Sequence, residues 1–221
     1  FLNGAPGGVA QGLIWGIMAL GVFLTFRVLN FADLTVDGSL ATGGAVCIML
    51  ILKGWNPWLS LLVSTLSGVI AGFVTGMLHT RLGIPDILAG ILTQISLYSI
   101  NLNIMGKANQ AINVNALALK ITSNSKRLPT TILIMAIFCV ALVYVIYWYL
   151  GTEHGSSIRA TGANPNMSRA QGINTDNMKV AGLCLSNGLV ALAGGLLSQY
   201  QGFADVNMGR GAIVIGLAAV I

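Results

Sequence analysis

Trp58–Leu78 and Thr130–Leu150 are each 21 residues long and contain no Asp, Glu, Lys or Arg. At about 1.5 Å per helical residue such a run reaches roughly 30 Å, the hydrocarbon thickness of a bilayer. Inside lipid the backbone must satisfy its own hydrogen bonds, so these runs commit the chain to membrane-spanning helices. Composition agrees: 8% of residues are charged, 55% are hydrophobic and the mean hydropathy is +0.82, whereas a soluble domain carries about 25% charged residues. The net charge of +5 is scattered along the chain and gives no reason to expect a nucleic-acid partner.

Seven apolar segments can be read: 8–26, 39–52, 58–79, 87–104, 130–150, 179–199 and 211 onward. Turn signals separate them, among them KGWNP at 53–57, RLGIPD at 81–86 and a polar stretch from Lys107 to Arg127, with Pro129 opening the next helix. The expected fold is an all-α, polytopic transmembrane bundle occupying 1–221 as one incomplete domain. The chain lacks an initiator Met and stops inside AIVIGLAAVI, so both ends read as cut. Cys47, Cys139 and Cys184 lie in separate apolar segments without metal-ligand spacing and read as packing residues. Glycines recur every four residues at Gly12 and Gly16 and at Gly68, Gly72 and Gly76. That spacing lets helices approach closely in lipid, within the chain's own bundle in preference to a dimer seam.

Two aspartates interrupt the apolar pattern in FADLTVDGS, residues 31–39. The charge-free run that follows, Ser39–Leu52, has 14 residues and spans only about 21 Å, short of a bilayer core. The stretch therefore dips into the membrane as non-helical backbone over 31–38, shielded by protein or lining a cavity, with Asp37 or Ser39 capping the helix after it. A related stretch, FADVNMGRG, occupies 203–211. Five spans separate the two copies, and an odd number places them on opposite faces of the membrane. This is the pattern of an inverted repeat, in which interrupted segments mark a transport pathway. Asp33, Asp37 and Asp205 are thus candidate pathway residues. Gln94, Tyr98 and Asn101 join them, since their i, i+4, i+7 spacing puts them on one helix face; interhelical hydrogen bonding is the competing role.

The connection from Gly151 to Lys179 is the longest strongly polar one. Asn164 is a good N-cap, Pro165 suits the first helical position and Gly172 is a natural C′ residue, so a short surface helix is expected over 165–171. Thr175 or Asp176 would cap the next segment. A polar helix of two turns is not stable alone, which points to something holding it.

The motif GxxxRAxGxNPxxxRxxGI, carried by Gly155, Arg159, Ala160, Gly162, Asn164, Pro165, Arg169, Gly172 and Ile173, resembles the cytoplasmic loop of permease subunits in ABC importers of the branched-chain amino acid and ribose type. NFADLTVDGS and RLGIPDILAGILT at 81–93 are most similar to the subgroup associated with tryptophan- or tyrosine-type binding proteins. The resemblance covers essentially all 221 residues and implies a type II-like importer permease that continues past Ile221. It implies that 151–179 is a coupling loop in which Arg159, Gly162, Asn164, Pro165, Met167, Arg169, Ala170 and Gly172 serve docking on the ATPase. It further implies an extracellular binding lipoprotein, a second permease subunit, and ATP and Mg used by the partner ATPase, with no cofactor on this chain. The family's Ser-Val-Gly stands here as Thr35-Val36-Asp37-Gly38, so sugar specificity does not carry over. Orientation rests on the resemblance, because the basic residues divide five inside against six outside and the positive-inside rule does not choose.

The chain contains no GxxxxGK[ST] phosphate loop, so ATP hydrolysis is assigned to a separate subunit. An ion-coupled secondary transporter fits an inverted repeat equally, with Asp33, Asp37 or Asp205 on the coupling ion. An intramembrane enzyme fits poorly: His79 and His154 lie at segment ends, and no HExxH or Gly-x-Ser-x-Gly occurs.

Overall fold

A computed structural model describes residues 5–112 and 128–221. Helix α1 (Ala5–Phe23) runs into a π-helical turn (Leu24–Val28), followed by α2 (Thr35–Leu52), α3 (Pro57–Thr80) and α4 (Asp86–Met105). After a short strand β1 (Asn109–Ala111) come α5 (Leu128–Gly151), α6 (Glu153–Ala163), α7 (Pro165–Ala170) and α8 (Thr175–Gln201), then β2 (Phe203–Asp205) and α9 (Ala212–Val220). Among the described residues five helices are long and apolar enough to cross a membrane, and α5 with α6 forms a pair bent by 79°. The polar stretch before α5 lies outside the described residues beyond Ile112, as do Lys120, Lys126 and Arg127.

Helix α8 is the axis of the bundle, and glycines decide what packs on it. A Cβ on Gly72 would run into the Leu183 carbonyl, one on Gly68 into that of Asn187, and one on Gly43 into that of Ala191. Helices α2, α3 and α8 therefore meet backbone to backbone, the way small residues replace a missing hydrophobic drive in lipid. The 68–76 glycines serve the chain's own bundle as expected, whereas a Cβ on Gly12 or Gly16 would meet nothing within 4 Å. Ile14, Ile17 and Met18 of α1, Leu40 and Ile48 of α2 and Leu196 and Leu197 of α8 form the main apolar core.

Contacts along α8 set depth. Ser39 meets Asn187 and Cys47 meets Gln199, so α2 runs parallel to α8. Asn187 lies 12 residues after Thr175, about 18 Å along the helix. Helix α2 thus starts deep inside the bundle.

One expectation needs correction. The 151–179 connection holds α6 as well as α7. Thr152 starts α6 by accepting from the Gly155 amide (3.4 Å), and Ile158 packs with Leu29, Phe31 and Leu183. The expected all-α bundle also carries a short ribbon. Helices α4 and α8 both stop at left-handed glycines, Gly106 (φ 64°) and Gly202 (φ 76°), where a Cβ would be strained. The two freed backbones then pair as antiparallel β1 and β2, with Asn109 opposite Asp205 and Ala111 opposite Phe203.

Candidate transport site and coupling surface

The chain breaks between α1 and α2 through a π-helical turn and Asn30, which adopts φ 52°, a conformation Asn tolerates better than most residues. The Phe31 amide reaches back to the Thr25 carbonyl (2.9 Å). Asp33 follows, fully buried. Its Oδ1 accepts from the Thr35 amide (2.8 Å) and its Oδ2 from Asn187 Nδ2 (2.7 Å). Ser39 Oγ donates to Asn187 Oδ1 (2.5 Å), closing a network between the start of α2 and the middle of α8.

The expected non-helical run 31–38 is therefore shorter than its sequence suggests, because α2 begins at Thr35. Neither Asp37 nor Ser39 caps it; the Asp33 carboxylate starts the helix through a local Asx turn. Asp205 makes the matching turn, accepting from the Asn207 amide (2.6 Å). Both Phe-Ala-Asp copies thus use their aspartate the same way, one against the middle of α8 and the other just past its C-terminus.

Asp37 has a different task. Its Oδ2 accepts from the Gly211 amide (3.1 Å) and its Oδ1 from the Ile213 amide (2.9 Å). Helix α9 starts at a glycine with no side chain to cap it, so a carboxylate from α2 satisfies its free N–H groups and faces the positive end of its dipole. A Cβ on Gly209 would overlap the Asp37 carbonyl, so the two backbones are in direct contact here.

Beside this junction lies a cavity of about 280 Å³ lined by Asp37, Gln94, Tyr98, Asn101, Asn207 and Arg210, among others. The α4 stripe does face one space, and four of the six candidate pathway residues meet there. Asp33 and Asp205 do not line it. Asn101 is 1% exposed, and neither its Oδ1 nor its Nδ2 has a partner among the described residues.

Several buried or half-buried polar contacts escaped the sequence reading. Thr75 bonds Thr35 and Thr93 (2.9 Å each), tying α2, α3 and α4 together. Lys179 Nζ donates to His79 Nε2 (3.1 Å), while His79 Nδ1 donates to the Ile84 carbonyl (2.9 Å). Asn187 carried a signal, being a lone amide in the apolar run LCLSNGLVALAGG; the threonines carried none, since lone threonines are common in spans.

At the α6 end, α7 forms over Pro165–Ala170, as its caps dictate. Asn164 Oδ1 accepts from the Asn166 and Met167 amides (3.1 Å each), and Gly172 takes φ 83° beyond its end. Helix α8 is capped by Asn174, which accepts from the Asn177 amide (3.2 Å), and not by Thr175 or Asp176. Those two hold Arg169 instead, through Nε to Thr175 Oγ1 (2.7 Å) and an ion pair to Asp176 (3.2 Å). Gly162 packs against Val28, whose carbonyl a Cβ would overlap. Arg159 lies exposed beside Tyr147 and Trp148. Only Ser168 of α7 is buried; Met167 (60% exposed) and Ala170 face outward. Asn164→Ala is expected to cost about 1 kcal/mol of local stability. Faster amide exchange over 165–170, with the spans unchanged, is the check.

An apolar multi-helix body with a break at mid-depth, a polar cavity beside it and a short capped helix displayed at one end defines a polytopic transport permease. The model of the family described as branched-chain amino acid transport system, permease component, matches residues 5–221, and the chain belongs to that family. It is 38% identical over 220 residues to a tyrosine transport system permease protein of Clostridioides difficile, covering all of this chain and 72% of the relative. An uncharacterized protein of Rickettsia prowazekii is 34% identical over 96% of this chain and 73% of its own length. An autoinducer 2 import system permease of Yersinia pestis is 29% identical over 93% of this chain and 57% of its own length. No solved structure matches. The protein is a multi-pass permease of the bacterial cell membrane, a component of a system that moves small solutes.

Proposed function

We propose that this chain forms the membrane conduit of an ATP-driven importer for an amino acid, aromatic or branched-chain, delivered by an extracellular binding lipoprotein. The observation that carries the reading is α7. It is a two-turn helix capped at its start, fixed to α8 through Arg169, and presenting Met167 and Ala170 to the outside. Such a helix gains its stability from what it docks on, and a nucleotide-binding subunit that uses ATP and Mg is the partner proposed. Arg159, Gly162, Asn164, Pro165 and Gly172 shape this surface rather than touch the partner through their side chains alone. Asp37, Gln94, Tyr98 and Asn101 are the proposed pathway residues, while Asp33 and Asp205 hold the backbone. The amino-acid substrate is supported by the tyrosine transport permease among the relatives.

The ion-coupled alternative needs a carboxylate free to hold a cation. Asp33 is fully buried with an N–H group on each oxygen and has no opening to a cation; Asp37 and Asp205 keep acceptor positions and are the carboxylates that alternative would use. A homodimer of permeases with two ATPases is proposed; native mass spectrometry of the co-expressed full-length complex is expected to give two copies of each. One permease per assembly would contradict it.

A further inference from the structure

The cavity beside Asp37 carries more than a place to pass through. Asn101 is an amide with no hydrogen-bond partner among the described residues, although it is 1% exposed and lines the cavity. Buried polar groups in folded proteins are nearly always paired, and each exception calls for a ligand, a water or a function. An amide offers both a donor and an acceptor, so its missing partner is polar.

The charges around it narrow the partner further. Asp37 and Arg210 line the same cavity, and among the described residues no ion pair joins them or engages Arg210. Asp37 spends one lone pair of each oxygen on the α9 amides and keeps others, since a carboxylate offers about four acceptor positions. The site therefore holds one anionic and one cationic group and sums to zero. An anionic solute meets Asp37 as a like charge, and a cationic one meets Arg210. A solute carrying both an ammonium and a carboxylate matches both, with Gln94, Asn101 and Asn207 left for its remaining polar atoms. At about 280 Å³ the space lies near the lower end for small-molecule sites, which begin at roughly 300 Å³.

We infer that this cavity is a selective resting site for net-neutral zwitterionic solutes, and that Asn101 and Arg210 determine its specificity. The permease then discriminates by charge on its own account, beyond the choice made by a binding protein. The inference rests on the proposed import function and adds to it the location and charge rule of a site inside the membrane.

The test uses the complete permease and ATPase complex in lipid nanodiscs without binding protein. Ile95→Cys, or Tyr98→Cys as a second reporter at the rim, is introduced into a cysteine-free background and labelled with a maleimide. The probes are L-phenylalanine, phenethylamine, which lacks the carboxylate, and phenylpropionate, which lacks the ammonium. L-phenylalanine is expected to slow labelling several-fold while neither analogue does so; Arg210→Gln should abolish the protection and Asn101→Ala weaken it. Equal protection by all three probes, protection by none, or protection that survives Arg210→Gln would overturn the inference. ATP-driven uptake by the parent complex, measured in parallel, separates the two readings. Uptake without protection removes the resting site alone, and protection without ATP-driven uptake removes the proposed energy source alone.

Discussion

Asn187→Leu is expected to destabilise the folded permease strongly and lower its melting temperature. Asn187 donates to the fully buried Asp33 carboxylate and accepts from Ser39. Losing the Ser39 contact alone is worth about 0.6 kcal/mol, the average for hydrogen bonds between membrane helices. Losing the hydrogen bond to the buried carboxylate is worse, roughly 1.5–3 kcal/mol, against a total stability of about 5–15 kcal/mol for a folded domain. The charge decides the outcome, which yields a second expectation. Asp33→Asn keeps an oxygen for the Thr35 amide and so preserves the Asx turn, and combining it with Asn187→Leu should recover part of the lost stability. Unfolding of the detergent-solubilised full-length protein, followed by size-exclusion profile against temperature, reads both. A single Asn187→Leu variant that melts with the parent would show that this network does not hold α2 on α8.

Ala170→Trp is expected to abolish coupling without disturbing the membrane body. Ala170 and Met167 lie three residues apart and share a face of α7, and both are exposed. A partner groove shaped for a methyl group cannot accept an indole without shifting, and overpacking of a fitted contact costs about 1–3 kcal/mol. Insertion and capture of ligand by the binding protein should be normal, while ligand-stimulated ATP hydrolysis and uptake are lost. Arg169 requires a different expectation from the one its charge alone suggests. It is tied to Thr175 and Asp176 at the start of α8, so Arg169→Glu acts first by releasing α7 from α8. Its ion pair is more than half exposed on both sides and worth about 0–1 kcal/mol, so the variant should be milder than Ala170→Trp. Parent-like coupling in Ala170→Trp would show that α7 is not the docking element.

What could be read from the sequence was local chemistry. Caps at Asn164 and Gly172 fix α7 within a residue, because capping depends on neighbours in the chain. The spacing of Gly68, Gly72 and Gly76 marked the α3 contact for the same kind of reason. Helix α6 was hidden because EHGSSIRATGA has no apolar period, and its few buried residues find their partners in distant segments. The division of labour between Asp33 and Asp37 was equally hidden. Both sit in one short stretch, yet one starts its own helix and the other caps α9, 174 and 176 residues away along the chain. Only the folded arrangement of α2 against α9 distinguishes them. The β1–β2 ribbon escaped because three residues per strand leave no readable alternation.

Import through the proposed conduit draws its energy from ATP hydrolysed by a partner subunit. The full-length permease, its ATPase and its binding protein are reconstituted into liposomes, and uptake of a radiolabelled amino acid is followed with ATP on the ATPase side, with and without ionophores that collapse proton and sodium gradients. Uptake is expected to require ATP and to survive the ionophores. Uptake that persists without ATP and disappears with the gradients would contradict it.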